Sequence, residues 1–165
     1  MHEVEIRRIA ADEWQSLRAL RLEALQDSPR SYGSTHAGEV RHPDSVWQER
    51  ASSGAAGIDE VAVVAVAEGQ WVGMARGYLE LPVAHLIAVY VTPAWRGRGI
   101  GQAASRAAVA RARERGATEI LLSVSDWNEG ARRVYQGIGF TPNGVRSSLP
   151  WDPSVTESEM RLELG

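Results

Sequence analysis

Residues 89 to 102 read Val-Tyr-Val-Thr-Pro-Ala-Trp-Arg-Gly-Arg-Gly-Ile-Gly-Gln, and no other stretch restricts the fold so tightly. An apolar run of strand character meets Pro93, which supplies no N–H and breaks it. Gly97, Gly99 and Gly101 follow at alternate positions, and helical spacing begins at once. Glycine takes backbone angles closed to other residues and lets main-chain N–H groups approach a ligand with no Cβ in the way. The first N–H groups of a helix have no acceptor inside it. Aligned peptide dipoles place about half a positive charge at the same end. Arg96 and Arg98 add two formal charges. A strand, a glycine bend and a helix start in this order suit a phosphate or pyrophosphate.

The flanking sequence sets what surrounds that bend. His2–Ala10 alternates Val4, Ile6 and Ile9 with charges and reads as a strand. Asp12 is the expected cap of a helix carrying Trp14, Leu17, Leu20, Leu22 and Leu25, which Ser28-Pro29 ends. Residues 30–41 are polar and read as loop, and residues 43–52 as a short helix with Val46 and Trp47 inward. Three strands follow, at 61–67, 71–80 and 83–91, with connections so short that neighbours must be antiparallel. A helix over 99–115 has Ala103, Ala104, Ala107 and Ala108 on its inner side and Gly116 as its stop. A strand at 120–124, a helix at 129–137 and strands at 140–145 and 160–164 complete the chain. A loop with Pro150, Trp151 and Pro153 separates the last two strands. An antiparallel meander thus runs into a β-α-β unit, giving an α/β mixed sheet with helices packed on it. At 165 residues and 44% hydrophobic content, the expectation is one domain over 1–165.

Composition removes several classes of function. There is no Cys, so disulfides, thiolate metal sites and a cysteine nucleophile are out. His2, His36, His42 and His85 lack zinc-ligand spacing, and no metal is expected. The net charge of −3 provides no whole-domain positive field, so nucleic acid is not an expected partner. Apolar runs such as 61–67 are too short to span a membrane. The opening MHEVEIRRIA has no signal-peptide core, which gives a cytoplasmic expectation. All 18 positive side chains are Arg, with no Lys; genomic base composition is the simpler account, and avoidance of self-modification by an amine-acylating enzyme is the functional alternative.

Three readings of the glycine bend compete. Gly99-x-Gly101-x-x-Ala104 fits a dinucleotide fingerprint, with Asp126 as a ribose partner, but it sits mid-chain after a meander rather than after a first parallel strand. A P-loop fails because no Gly-Lys-Ser/Thr exists. The third reading is a coenzyme A pyrophosphate loop. Here the chain resembles the GCN5-related N-acetyltransferases (GNAT). Arg96-x-x-Gly99-x-Gly101 matches that family's first acyl-CoA signature, after a strand ending Val-x-Pro. Asn128 with Tyr135-x-x-x-Gly139-Phe140 matches the second. The element order is similar from about residue 4 to 164.

The resemblance implies a mostly antiparallel sheet of about seven strands, splayed between the fourth and fifth, with about four helices. It implies acetyl-CoA as cofactor, Val89, Tyr90 and Val91 along the pantetheine arm, and Arg96, Gly97, Arg98, Gly99, Ile100, Gly101 and Gln102 around the pyrophosphate. Asn128 would bond the pantetheine region and Tyr135 would sit at the thioester sulfur. The activity implied is direct N-acetyl transfer to a primary amine of a small molecule. A non-catalytic acyl-CoA-binding sensor, a protein N-terminal acetyltransferase and an aminoglycoside acetyltransferase are the alternatives. Many relatives carry a general-base Glu where this chain has His85, and Glu39 in the loop region is the other candidate base. Tyr32, Trp47 and Trp151 are candidates for the acceptor pocket. A homodimer is open, since family members often pair.

Overall fold

Residues 60 to 67 are apolar at nearly every position, which only a strand covered on both faces tolerates. The computed structural model, which describes residues 3–165, places them at the heart of a seven-stranded sheet of order β1-β2-β3-β4-β5-β7-β6. The strands are β1 (Glu5–Arg8), β2 (Glu60–Ala67), β3 (Gln70–Tyr78), β4 (Val83–Val91), β5 (Glu119–Ser125), β6 (Thr141–Leu149) and β7 (Asp152–Glu163). The helices are α1 (Trp14–Asp27), α2 (His36–Glu39), α3 (Asp44–Ala56), α4 (Ile100–Glu114) and α5 (Glu129–Ile138), with 3₁₀ turns at Pro29–Ser31 and Pro93–Trp95.

The sheet carries a core on each face. On one, Leu17, Leu25, Trp47 and Ala51 of α1 and α3 meet Val64, Met74 and Tyr90. On the other, Ala104, Ala108 and Ala112 of α4 lie against Val63, Leu86, Ile120 and Leu122, with Tyr135, Phe140 and Met160 beyond. Those three alanines recur every four residues and let the helix sit close to the strands. The inward side is therefore 104-108-112, and Ala103 and Ala107 are only half-buried.

Three expectations change at the boundaries, and a fourth cannot be placed. His2, the expected start of the first strand, lies outside the described residues. Asp12 does not cap α1; Glu13 occupies the cap position, and its carboxylate takes two bonds from Arg7 (2.7 and 2.9 Å) and one from the Ala10 N–H (2.8 Å). The 30–41 stretch is not all loop, because the Thr35 hydroxyl accepts from the Gly38 N–H and starts the single turn of α2. The last two strands are long and joined tightly, Leu149 pairing with Asp152, so Pro150-Trp151 forms a turn and Pro153 is already in β7.

The sheet is antiparallel except between β4 and β5, and that exception places the site. Val83, Ala84 and His85 pair with Glu119, Ile120 and Leu121, and the register stops there. Beyond those three rungs the two strands part, as the resemblance implies, and leave a wedge between 86–91 and 122–125.

Candidate functional site

The wedge is a cleft of about 550 Å³. That lies within the usual range of small-ligand pockets, roughly 300–1,000 Å³. Leu86–Val91 form one wall and Ser123–Ser125 the other. Gly99, Ile100, Gly101 and Gln102 lie at one end, with Val134 and Tyr135 of α5 alongside. All ten expected pyrophosphate and pantetheine positions except Arg98 line it, as do Asn128 and Tyr135.

The glycine bend has the backbone its sequence requires. Gly97 and Gly99 have φ of 76° and 77°, in the left-handed region, and Gly99 is the N-cap of α4. It provides no side-chain cap, so the first-turn N–H groups are left to a ligand or water. A Cβ built on Gly99 would meet no atom within 4 Å, which means that side opens onto free space. The two arginines divide their work. Arg96 donates to the Val91 carbonyl (2.9 Å), pairs with Asp27 at the end of α1 (2.6 Å) and lies over the Tyr90 ring. It fastens the bend to α1, and its hydrogen bond keeps the Asp27 carboxyl below its usual range. Arg98 stacks over the Trp95 ring at 4.4 Å and is exposed.

The β4 wall is bulged. Met74 opposes Tyr90 and Arg76 opposes Ile87, so Ala88 and Val89 face Ala75 alone. Ala88 has φ of 55°, a left-handed angle that costs a residue with a Cβ roughly 1–2 kcal/mol. The bulge sends the Tyr90 side chain to the helical layer, where its hydroxyl donates to Glu23 (2.8 Å). The Val89 carbonyl accepts from the Tyr32 hydroxyl (2.9 Å). Burial pushes the Tyr32 phenol up to about 12, so it stays a donor.

Tyr32 belongs to a strap across the mouth of the wedge. From the other wall, Ser125 Oγ (2.7 Å) and Trp127 Nε1 (3.3 Å) donate to the Arg30 carbonyl. Trp151 Nε1 donates to the Tyr32 carbonyl (2.8 Å). Residues 28–32 thus tie β4, β5 and the β6–β7 turn together where strand pairing has ended.

Asn128 caps α5, its Oδ1 accepting from the Ala131 N–H (3.1 Å). Asp126 does not; its carboxylate gathers Ser158, Thr156, Arg146 and Arg132, and these bonds hold it down at about 2. Tyr135 is 9% exposed and meets Phe140 edge-on at 6.1 Å. Its burial raises the phenol well above the usual value, so the hydroxyl stays protonated at any working pH. Gly139, with φ of 119°, ends the helix and turns Phe140 into the core.

The two candidate bases are elsewhere. His85 stands on the last shared rung opposite Leu121 and does not line the cleft. Glu39 is 4% exposed and joins Arg21 (2.9 Å) to Arg50 (2.7 Å). Burial raises its carboxyl, but the Arg21 charge and the bonds from Arg50 and Arg21 outweigh that and leave it low. Of the candidate acceptor aromatics, Tyr32 lines the cleft, Trp151 is exposed, does not line it and is bonded to the Tyr32 carbonyl, and Trp47 is wholly buried in the core. The Ala88 bulge, the strap and Trp127 carry no signal in sequence that the glycine bend or the second motif would have suggested. Among the described residues no group of side chains is arranged to hold a metal ion, and no helix is long and apolar enough to cross a membrane.

Known proteins share this fold. An acetyltransferase of the GNAT family from Streptococcus pneumoniae superposes with a TM-score of 0.83 at 16% identity, covering 99% of this chain and 100% of that one. A Salmonella typhimurium acetyltransferase solved with its cofactor acetyl-CoA gives 0.77 at 16% identity, over 99% and 95%. At these identities the likeness is one of fold. In sequence, a mycothiol acetyltransferase of Thermobispora bispora is 38% identical over 60 residues, 36% of this chain and 20% of that protein. A streptothricin acetyltransferase of Streptomyces lavendulae is 38% identical over 74 residues, 45% of this chain and 39% of that protein. The matches therefore span well under half of these relatives' own lengths. The model of the acetyltransferase (GNAT) family matches residues 14–140, most of the chain and both acyl-CoA motifs up to Phe140, and the protein belongs to that family.

Proposed function

We propose that the protein transfers the acetyl group of acetyl-CoA directly to a primary amine of a small molecule. One observation carries the reading: the left-handed Gly97 and Gly99 and the uncapped first turn of α4 open onto the wedge between β4 and β5. Acetyl-CoA supplies a thioester, a ready acyl donor. The chain's own groups bind the donor and stabilise the charge that develops on it, and the proton lost by the attacking amine passes to water, since His85 and Glu39 do not line the cleft. Main-chain N–H groups of the α4 first turn hold the diphosphate. The edge of 89–91, released from β5, pairs with the pantetheine arm as with an added strand. A main-chain N–H of Val89 or Val91 stabilises the carbonyl oxygen as charge develops on it, an effect worth roughly 3 kcal/mol in comparable sites. Tyr135 donates to the departing sulfur.

Two features favour direct transfer. The chain has no Cys. Ser125 in the cleft already donates its hydroxyl to the Arg30 carbonyl, and among the described residues no His lines the cleft to activate it as a nucleophile.

The test is ligand binding and then turnover. Coenzyme A at 100 times its Kd stabilises by about 2.7 kcal/mol. That should raise the melting temperature by roughly 5–10 °C in a chain of this size. NAD at the same concentration should not. Stabilisation by NAD alone would return the bend to dinucleotide binding. Release of free thiol from acetyl-CoA with amines present separates an enzyme from a sensor.

Gly99→Val checks the cradle itself. A β-branched residue at φ of 77° is strained by roughly 1–2 kcal/mol, and its side chain occupies the open side of the bend. Coenzyme A affinity by calorimetry should fall at least tenfold. An unchanged Kd would remove Gly99 from the proposed pyrophosphate site.

A further inference from the structure

Ile120, Leu122 and Val124 of β5 face the core beneath α4 and α5. Alternation then puts Ser123 and Ser125 on the opposite face, and both line the cleft. In the β5–β7 register Glu159 stands opposite Ser123, and Glu157 opposite Ser125. Directly opposed residues of an antiparallel pair share a face, with Cβ atoms about 5 Å apart. Glu157 and Glu159 are therefore same-face neighbours of two cleft residues, one strand out from the lining itself.

They are not equivalent. Glu159 accepts a hydrogen bond from Asn143 (2.8 Å). Glu157 is half-buried, and no hydrogen bond or ion pair among the described residues holds it. The neighbouring arginines are engaged elsewhere. Arg132 and Arg146 meet Asp126 together with Ser158, on the other face of β7. Arg161 pairs with Glu119 and Glu163, and Arg30 lies over Trp127. Burial raises the Glu157 carboxyl, with the Asp126 charge adding to it. A carboxylate drawn out of water with nothing to answer its charge is costly, and a cation restores the balance.

We propose that Glu157 is the counter-ion for a cationic group of the acceptor, one that is not the amine acetylated. The inference rests on the acetyl-transfer reading and names the acceptor class: a primary amine bearing a second ammonium or guanidinium. A carboxylate set against the reacting nitrogen would hold it protonated and oppose its attack. Against a second cation it has no such drawback. Its place suits that role, at the level of Ser125, where the strap crosses the mouth.

The experiment is a charge series of equal chain length: 1,4-diaminobutane, n-butylamine and 4-aminobutanoate, assayed by thiol release from acetyl-CoA. In the native protein kcat/KM should fall at least tenfold from the diamine to the monoamine, and further for the amino acid. Glu157→Gln should bring the diamine within about threefold of the monoamine, chiefly through the diamine's KM, with the KM for acetyl-CoA within twofold of native. Glu157→Asp, which keeps the charge on a shorter arm, should retain part of the preference. Equal use of diamine and monoamine by the native protein would overturn the inference. So would a preference that survives Glu157→Gln, or no turnover of the diamine by protein that binds coenzyme A. Absence of heat with coenzyme A would instead overturn the acetyl-transfer reading beneath it.

Discussion

Tyr135→Phe should lower kcat by about 10- to 100-fold while leaving coenzyme A affinity within twofold. The size comes from what the hydroxyl can do. Its burial holds the phenol well above its ordinary value near 10, whereas a leaving thiol sits near 8.5. Full proton transfer to the sulfur would run uphill, so the role proposed for the hydroxyl is to donate a hydrogen bond to a developing thiolate. Hydrogen bonds to charged groups are worth roughly 1.5–3 kcal/mol. At about 1.4 kcal/mol per tenfold, that gives the range stated. The ring itself remains, so its contact with Phe140 and the cleft shape persist. Thiol release under saturating substrates reads kcat, and calorimetry with coenzyme A reads the affinity. Native kcat in the variant would take Tyr135 out of the chemistry.

Glu39→Ala should cost about 3–5 kcal/mol of stability, the usual penalty when one member of a buried ion pair is removed and the other remains. Here two remain. Arg21 would keep only its stack on the Tyr32 ring (4.8 Å), and its Nη1 already has no hydrogen-bond partner. Arg50 would keep its place over the Trp47 ring. For a domain of this size the melting temperature should drop by roughly 6–20 °C. Acid should imitate the mutation. Folding lowers the Glu39 carboxyl, so the unfolded chain takes up the proton first as pH falls. The stabilisation is full above the unfolded value near 4.3 and declines below it. The gap between native and variant melting temperatures should narrow as pH falls from 7 through the carboxylate range. Parallel curves would mean that the two arginines do not depend on this carboxylate.

The contrast between Glu39 and Tyr135 marks what sequence can reveal. Tyr135 was legible because its spacing to Gly139 and Phe140 is local: one helix turn sets the ring, and the glycine cap directs Phe140 inward. The glycine bend was legible for the same reason. Glu39 was read as a candidate base in a polar stretch, because the Arg21 and Arg50 that hold it come from two other helices. The antiparallel meander and the mid-chain β-α-β unit followed from short connections, whereas the splay came only from the family resemblance. The bulge did not, because Ala88 carries a left-handed angle with no glycine to announce it. Pro150 and Pro153 suggested a loop, yet β6 and β7 pair across them, since β6 is an edge strand that makes few demands on its partner's ends. Glu157 depended on register, where a shift of one residue would turn it to the other face.

The strap at the mouth is anchored by acceptors that every amino acid possesses. The bonds from Ser125, Trp127 and Trp151 all end on the main-chain oxygens of Arg30 and Tyr32. Replacing the side chains at 30, 31, 33 or 34 leaves those oxygens where they are. The rim that meets an incoming amine can thus be rewritten by point mutation while the grip on the carrier stays constant, which makes this gateway a place where new acceptor preferences can arise without first losing the fold.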